Sequence, residues 1–393
     1  MEEVLQNSGR KILIWECLPY IAGGQRIALQ ITYAIRDHFD VIFLLPRKGP
    51  FSEELESRYI QYHTLPMGEY KEGKKNVFDI VKFIMYTPMV FIRTCRFLKK
   101  EGCCLLYVNS SRNFIWSSLL GYILSIPVVW HVHHIFLDKK SKWLIEWAGQ
   151  MKCIKKILFV SNSTKEQFSG LEAKSEVIYN GIDRSIFNPV KYKKQIKDEF
   201  GISQKRKLIS LIAWILPTKR QDILVKAIPH VLAEIENVHF LFVGGCKKGY
   251  EYYYRELQKM IEYLRIGDHV TFTGHREDIP LLLKEIDINI LTGSTEGFSL
   301  ALLEGWASGV PTITPNIKPF TEFIKHEETG LLYDFNKHST LAQQIILFLK
   351  DNKLRKNVIN RSLEHVKQFD ISIFNNQIRN SISEVLNYED LIN

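Results

Sequence analysis

The stretch from Asp287 to Pro311, DINILTGSTEGFSLALLEGWASGVP, reads as strand, turn, helix and turn. Asp287 to Leu291 is a short apolar run suited to a buried strand. Thr292-Gly293-Ser294-Thr295 is a turn cluster ahead of a helical run that opens at Glu296-Gly297-Phe298. Glu296 then stands in the loop before the helix and Glu304 about two turns inside it. The N–H groups of Phe298, Ser299 and Leu300 point out of the first turn, where unpaired donors and the helix dipole favour a phosphate. A carboxylate beside such a site repels an anion but accepts hydrogen bonds from hydroxyls. The pattern therefore implies a ligand with a phosphate between polyols, as in a nucleotide sugar. Taken alone, the two acids are equally well explained as one stabilising the dipole and one meeting solvent.

Outward from this stretch, the chain alternates between strand-like and helical runs. KILIWECL, DVIFLLP, LLYVNS, PVVWHVHH, ILFVSNS and SEVIYNG are strand-like and alternate with helical patterns such as Ile27 to Asp37 and Arg112 to Leu124. After a polar, lysine-rich segment, Asn188 to Phe200, the alternation restarts with KLISLIAWI, Asp222 to Ile235, VHFLFVGG, Tyr254 to Leu264, HVTFTG and Pro280 to Glu285. This is the α/β pattern of two doubly wound, Rossmann-like domains, each a parallel sheet with covering helices. Ligands of such sheets sit beyond the carboxyl ends of the strands, so the expected site is a cleft that the two domains face. Two further helical patterns, Leu354 to Gln368 and Ser372 to Leu386, close the chain.

The 393 residues suit two cores rather than one, and 46% hydrophobic with 24% charged residues is a globular composition. Six cysteines without metal-ligand spacing fit a reducing cytoplasm. No signal peptide is visible at the start. The apolar stretch Phe114 to Trp130 is broken by Gly121 and Ile126-Pro127 and reads as helix, turn and strand rather than a membrane span. The net charge of +9 lies wholly in the first half: residues 1–200 hold 29 Lys and Arg against 20 Asp and Glu, and the remainder balances. No basic cluster with interleaved aromatics or zinc spacing supports nucleic acid as a partner, so an anionic acceptor or membrane surface fits the excess better. Between Val77 and Lys100, the cations Lys82, Arg93, Arg96 and Lys100 return to one face of an otherwise apolar helix, which Pro88 is expected to break or kink.

Glu296 and Glu304, with seven residues between them, Gly-Phe after the first and Ala-Ser-Gly-Val-Pro after the second, resemble the EX7E signature of retaining glycosyltransferase family four, which has the GT-B fold. The resemblance extends over nearly the whole chain, most strongly from about Val270 to Leu332. It implies that Glu296 holds hydroxyls of the transferred sugar, Glu304 holds the ribose, and the segment Gly297-Phe298-Ser299-Leu300 binds the donor phosphate. Gly24, in Gly23-Gly24-Gln25-Arg26, matches the glycine-rich loop beneath the donor phosphate; by itself a Gly-Gly pair is as readily a tight turn. His133, in Trp130-His131-Val132-His133-His134, matches the histidine that lines the sugar site. His131 and His133 share a strand face, with His134 opposite. Lys219 matches the lysine laid against the diphosphate, although by itself it reads as a solvated helix start. The arginine usually five residues before that lysine is Trp214 here, and Arg220, at a place often occupied by glycine, is the candidate for the missing charge. His275 and Arg276 match the nucleotide-base side.

The resemblance implies a retaining sugar transfer from a nucleotide diphosphate donor to an acceptor hydroxyl; no metal or other cofactor is expected, and the cysteines and the charge excess point to a cytoplasmic protein peripheral to the inner membrane face, with a glycan or lipid-linked acceptor. No Asp-x-Asp metal motif occurs. A non-catalytic nucleotide-sugar-binding partner of a glycosyltransferase is the alternative that Trp214 raises. The expected boundaries are 1–188 for the acceptor-side domain, 201–368 for the nucleotide-sugar domain, and 369–393 for a last helix returning to the first.

Overall fold

The computed structural model describes residues 9–66, 77–190 and 196–386, with backbone alone for 77–87. The chain divides into two compact units, Met1–Asn180 with Ser372–Asn393, and Gly181–Ile371.

The first unit is built on strands β1 (Lys11–Trp15), β2 (Asp40–Leu45), β3 (Gln61–Thr64), β4 (Cys103–Val108), β5 (Val128–Val132), β6 (Ile154–Phe159) and β7 (Ser175–Val177). All neighbours are parallel, in the order β3-β2-β1-β4-β5-β6-β7. Helices cover both faces, so the inner strands lose the polar alternation of a half-exposed sheet: Ile12, Leu13, Ile14 and Trp15 are all buried. One core gathers Leu13, Leu106, Trp130 and Ile157 of the sheet with Phe97, Phe114, Ile145 and Ala148 of the covering helices. The helix Ile371–Leu386 packs here through Phe374, Ile378 and Ile382, while Ser381 Oγ donates to Glu176 Oε2 at 2.9 Å and Lys156 Nζ to Glu384 Oε2 at 2.5 Å.

The second unit repeats the plan with β8 (Lys207–Ile212), β9 (Val238–Val243), β10 (Val270–Gly274), β11 (Ile288–Ile290), β12 (Thr312–Pro315) and β13 (Leu331–Tyr333), ordered β10-β9-β8-β11-β12-β13 and parallel. In both sheets the strand order reverses once. The reversal lies between β1 and β4 in the first and between β8 and β11 in the second. At such a point the two following loops diverge and leave a crevice at the carboxyl ends of the strands.

Several local expectations change. Pro88 lies inside a single helix, Val77–Glu101. One proline removes one backbone donor, and Val90, Phe91, Phe97 and Leu98 packed against the core hold the helix through it. Arg93, Arg96 and Lys100 are exposed, whereas the side chain of Lys82 falls outside the described residues. Phe114–Leu124 is a helix ended by Ser125 in the left-handed conformation, and β5 follows. Among the described residues no helix is long and apolar enough to cross a membrane. The helices Pro50–Ser57 and His338–Lys350 and the short strands β3, β12 and β13 have no counterpart in the sequence reading.

Candidate active site

In the second unit the residues singled out from sequence gather where β8 and β11 end. After β8 the chain makes a short 3-10 turn, Pro217–Lys219, and after β11 it runs through Thr292 to Ser299 into the helix Leu300–Ala307. The two loops are laced together: Ser294 N donates to Thr218 O at 2.9 Å and Thr292 Oγ1 to Lys219 O at 2.5 Å. This lacing brings Lys219 Nζ to 2.5 Å from Glu296 Oε1, with side-chain exposures of 29% and 13%. Gly293 makes room for the acid, since a Cβ there would lie 2.5 Å from Glu296 Oε1.

The helix begins later than the sequence suggests. Ser299 is its N-cap and Leu300 its first residue, so Gly297 and Phe298 precede the helix and Glu304 lies about one turn inside rather than two. The cause is tertiary: the Phe298 ring packs edge-on against Phe323 at 4.9 Å and Phe369 at 6.1 Å, which holds that residue out of the helical path. The helix is short and fully committed to packing, with Leu302, Leu303 and Trp306 buried. Glu304 is carried into a buried position on it. Its first-turn amides, at Leu300 and Ala301, are the donors that the helix geometry leaves to a ligand.

Arg220 does not stand as a free replacement for the charge absent at Trp214. It adopts φ 52°, the left-handed conformation that glycine takes without cost, and its guanidinium donates to Asp222 Oδ1 at 3.0 Å and Oδ2 at 3.2 Å. Asn336 Oδ1 takes a further bond at 2.5 Å. Arg276 is likewise paired, with Glu199 and Asp278 at 2.6 Å each. His275 remains exposed and stacks on Trp214, ring centroids 5.9 Å apart and 20° between planes. Gly245 permits that stack, since a Cβ there would approach the Trp214 ring to 3.2 Å. Trp214 thus builds an aromatic platform where a cation was expected.

In the first unit β5 ends at Val132, so His133 is the first residue beyond the strand. His131 is fully buried, with Nδ1 2.9 Å from Tyr107 Oη, and burial drives its pKa down to about 3. The His133 ring lies 4.1 Å from that of His131, and its Nε2 donates to Asn109 Oδ1 at 2.7 Å. Burial, then the neighbouring His131 and His134, hold His133 well below the usual histidine range. Gly24 is the second residue of the helix Gly23–Ile35, and its carbonyl accepts from Asn109 Nδ2 at 2.9 Å. Its role is therefore that of a helix start rather than a tight turn.

Two family models cover most of the chain, Glycosyltransferase Family 4 over residues 21–186 and Glycosyl transferases group 1 over residues 192–365. The N-acetyl-alpha-D-glucosaminyl L-malate synthase of Bacillus anthracis is 31% identical over 89% of this chain and 90% of its own. The chain is a family-four glycosyltransferase. An Escherichia coli UDP-Gal:alpha-D-GlcNAc-diphosphoundecaprenol alpha-1,3-galactosyltransferase is 23% identical over 90% of this chain and 92% of its own. The crystal structure of Anabaena Alr3699/HepE in complex with UDP and glucose superposes with a TM-score of 0.83 at 21% identity, covering 95% of this chain and 99% of that one. Likeness at that identity speaks for the fold, and the fold of this glycosyltransferase is GT-B.

Sequence reasoning missed the polar group that joins the ends of β1 and β4 in the first unit of the glycosyltransferase. Glu16, directly after β1, is fully buried. It accepts from Gln25 Nε2 at 2.9 Å, from Ser110 Oγ at 2.8 Å and from Asn109 Nδ2. The signal was present, since KILIWECL places one acid at the carboxyl end of an apolar strand and LLYVNS ends the neighbouring strand on two hydrogen-bonding residues. No periodicity reveals that the two ends meet.

Proposed function

We propose that this glycosyltransferase moves a sugar from a nucleotide diphosphate sugar to an acceptor hydroxyl with retention at the anomeric carbon, in the synthesis of a cell-surface polysaccharide or glycolipid. The observation that carries the reading is the meeting of Lys219 and Glu296 at the reversal point of the second sheet, beside the start of the helix that bears Glu304. The names of the malate synthase and galactosyltransferase relatives, and the UDP held by the structural neighbour, support a donor of this class.

In this reading the bond from the anomeric carbon to the diphosphate breaks with its electron pair staying on the diphosphate. The acceptor oxygen bonds on the same face, and its proton passes to the departing phosphate. The developing charge is met by Lys219 and the amides at Leu300 and Ala301, and not by a metal ion, so transfer should persist in EDTA. Glu296 takes hydroxyls of the moving sugar, Glu304 the ribose, and the Trp214–His275 platform the base side. His133 takes the sugar from the first unit.

The acceptor is a glycan or a lipid-linked saccharide, met at the inner face of an anionic membrane. Support comes from the first unit's surface, where the helix Lys139–Gly149 turns Trp143 (64% exposed), Leu144 and Trp147 (50%) outward with Lys139 and Lys140. The helix Val77–Glu101 adds Ile92, Arg93 and Arg96. Interfacial tryptophans beside lysines suit the headgroup layer, at about 1 kcal/mol per cation near an anionic leaflet.

A thermal-shift panel of UDP, GDP and ADP sugars identifies the donor by the rise in midpoint. Proton NMR of the product then reads the anomeric configuration, and an inverted product or no shift with any donor sinks the proposal. Flotation should carry the protein up with anionic vesicles at low salt. Arg93→Glu with Arg96→Glu, or Trp143→Ala with Trp147→Ala, should remove that difference, whereas equal flotation on neutral vesicles would point to a soluble acceptor.

A further inference from the structure

We infer that Glu16 and Asn109 are positioning residues that fix His133 as the neutral tautomer protonated on Nε2, leaving its Nδ1 lone pair as the acceptor offered to a substrate hydroxyl. The inference rests on the proposed role of His133 at the sugar. Its geometry stands by itself.

Asn109 Nδ2 has two hydrogens and faces two oxygens, a Glu16 carboxylate oxygen and the Gly24 carbonyl, 2.9 Å away in the second case. Neither oxygen has a hydrogen to give, so the amide cannot be turned round without setting Oδ1 against two acceptors. Oδ1 must therefore face His133, and an amide oxygen only accepts. At 2.7 Å the hydrogen in that bond belongs to His133 Nε2. Among the described residues no hydrogen bond engages His133 Nδ1.

Glu16 is itself locked as an acceptor. The amide oxygen of Gln25 takes the Ala22 N–H at 3.2 Å, which turns its Nε2 to Glu16. Ser110 Oγ takes the Cys17 N–H at 3.2 Å, which turns its own hydrogen to Glu16. Burial raises the Glu16 pKa, and the donors from Ser110, Asn109 and Gln25 reduce that rise without cancelling it. The loops after β1 and β4 thus meet at one carboxylate, the loop after β5 reaches it through Asn109, and the start of the helix Gly23–Ile35 hangs on it through Gln25.

Glu16→Gln tests this, because it preserves size while replacing one acceptor by a donor. Where the new NH2 meets Asn109, the Asn109 amide turns, presents Nδ2 to His133, and moves the imidazole proton to Nδ1. In protein labelled with 15N-histidine, the ring nitrogens of His133, assigned with His133→Asn, should show a protonated Nε2 and a bare Nδ1 at pH 7.5. In Glu16→Gln the Nδ1–H form should appear, with kcat for transfer about tenfold lower and KM for the donor within about threefold. Asn109→Ala, which leaves Glu16 its Gln25 and Ser110 donors, gives a second readout if Glu16→Gln does not fold, and should show both tautomers. An Nδ1–H or doubly protonated His133 in the native enzyme overturns the proposal. So does an unchanged Nε2–H form in both variants. A switched tautomer with full transfer activity in Glu16→Gln and also in His133→Ala would instead remove His133 from the reaction, which separates failure of the underlying reading from failure of the geometry.

Discussion

The two sheets reverse their strand order in the same way, yet the polar residues at the two reversal points are built differently. At the first, Glu16 is fully buried and bonded to Gln25, Asn109 and Ser110. At the second, Lys219 and Glu296 form one ion pair that solvent still reaches. A buried carboxylate with satisfied donors is rigid because every alternative arrangement strands a donor in low dielectric. An ion pair that solvent still reaches contributes little to stability and can be exchanged for bonds to a ligand at small cost. The two sites divide the labour: the first reversal point fixes the shape of its loops before any ligand arrives, and the second keeps its charges available.

The sharpest way to break this contrast is to measure stability. Glu16→Ala leaves several buried donors unpaired and opens a cavity, and should cost about 3–5 kcal/mol in urea unfolding; Lys219→Ala should cost under about 1 kcal/mol. Equal losses would mean that the two networks are not different in kind. Kinetics should run the other way. Glu296→Gln should lower kcat about a hundredfold with the melting midpoint nearly unchanged, whereas Glu304→Gln should act mainly on KM for the donor. Unchanged kinetics in both would remove the second reversal point from the chemistry.

A smaller effect is expected at His133→Ala, at least a tenfold loss of transfer or about 1.4 kcal/mol of barrier, with nucleoside diphosphate binding retained. Damage from His131→Ala alone would exchange the roles of the two rings.

Acid should lower stability through the buried His131. The folded-state pKa of His131 is lowered to about 3 from an ordinary 6.5, so below pH 6.5 the unfolded chain binds the extra proton. Stability should therefore be full above pH 6.5 and fall as pH drops towards 3, by up to about 1.4 kcal/mol per pH unit from this group. His131→Gln should flatten that slope, measured by urea unfolding between pH 5 and 7.

Much of the site was legible because its residues are close in sequence or tied to one element. Glu296 and Glu304 belong to one loop-helix unit, and the alternation of strand and helix runs placed Lys219, His133 and Gly24 near carboxyl ends of strands. What was misread has a physical pattern as well. The helix start moved from Glu296 to Leu300 because Phe298 is held by Phe323 and Phe369, residues from distant segments. Arg220 and Arg276 looked like available cations because Asp222, Asp278 and Glu199 could not be ranked as partners without coordinates.

The fold class is readable from the chain alone, since the periodicity of apolar residues records whether an element is covered on one face or two, and that information is local. So are the residue types that stand at the loop ends. Tertiary structure alone decided how those ends pair: Glu16 with Asn109 across 93 residues, Lys219 with Glu296 across 77, His275 with Trp214. Strand order sets these meetings, and strand order is fixed by the packing of whole sheets, an energy spread over many side chains and written in no single stretch of the chain.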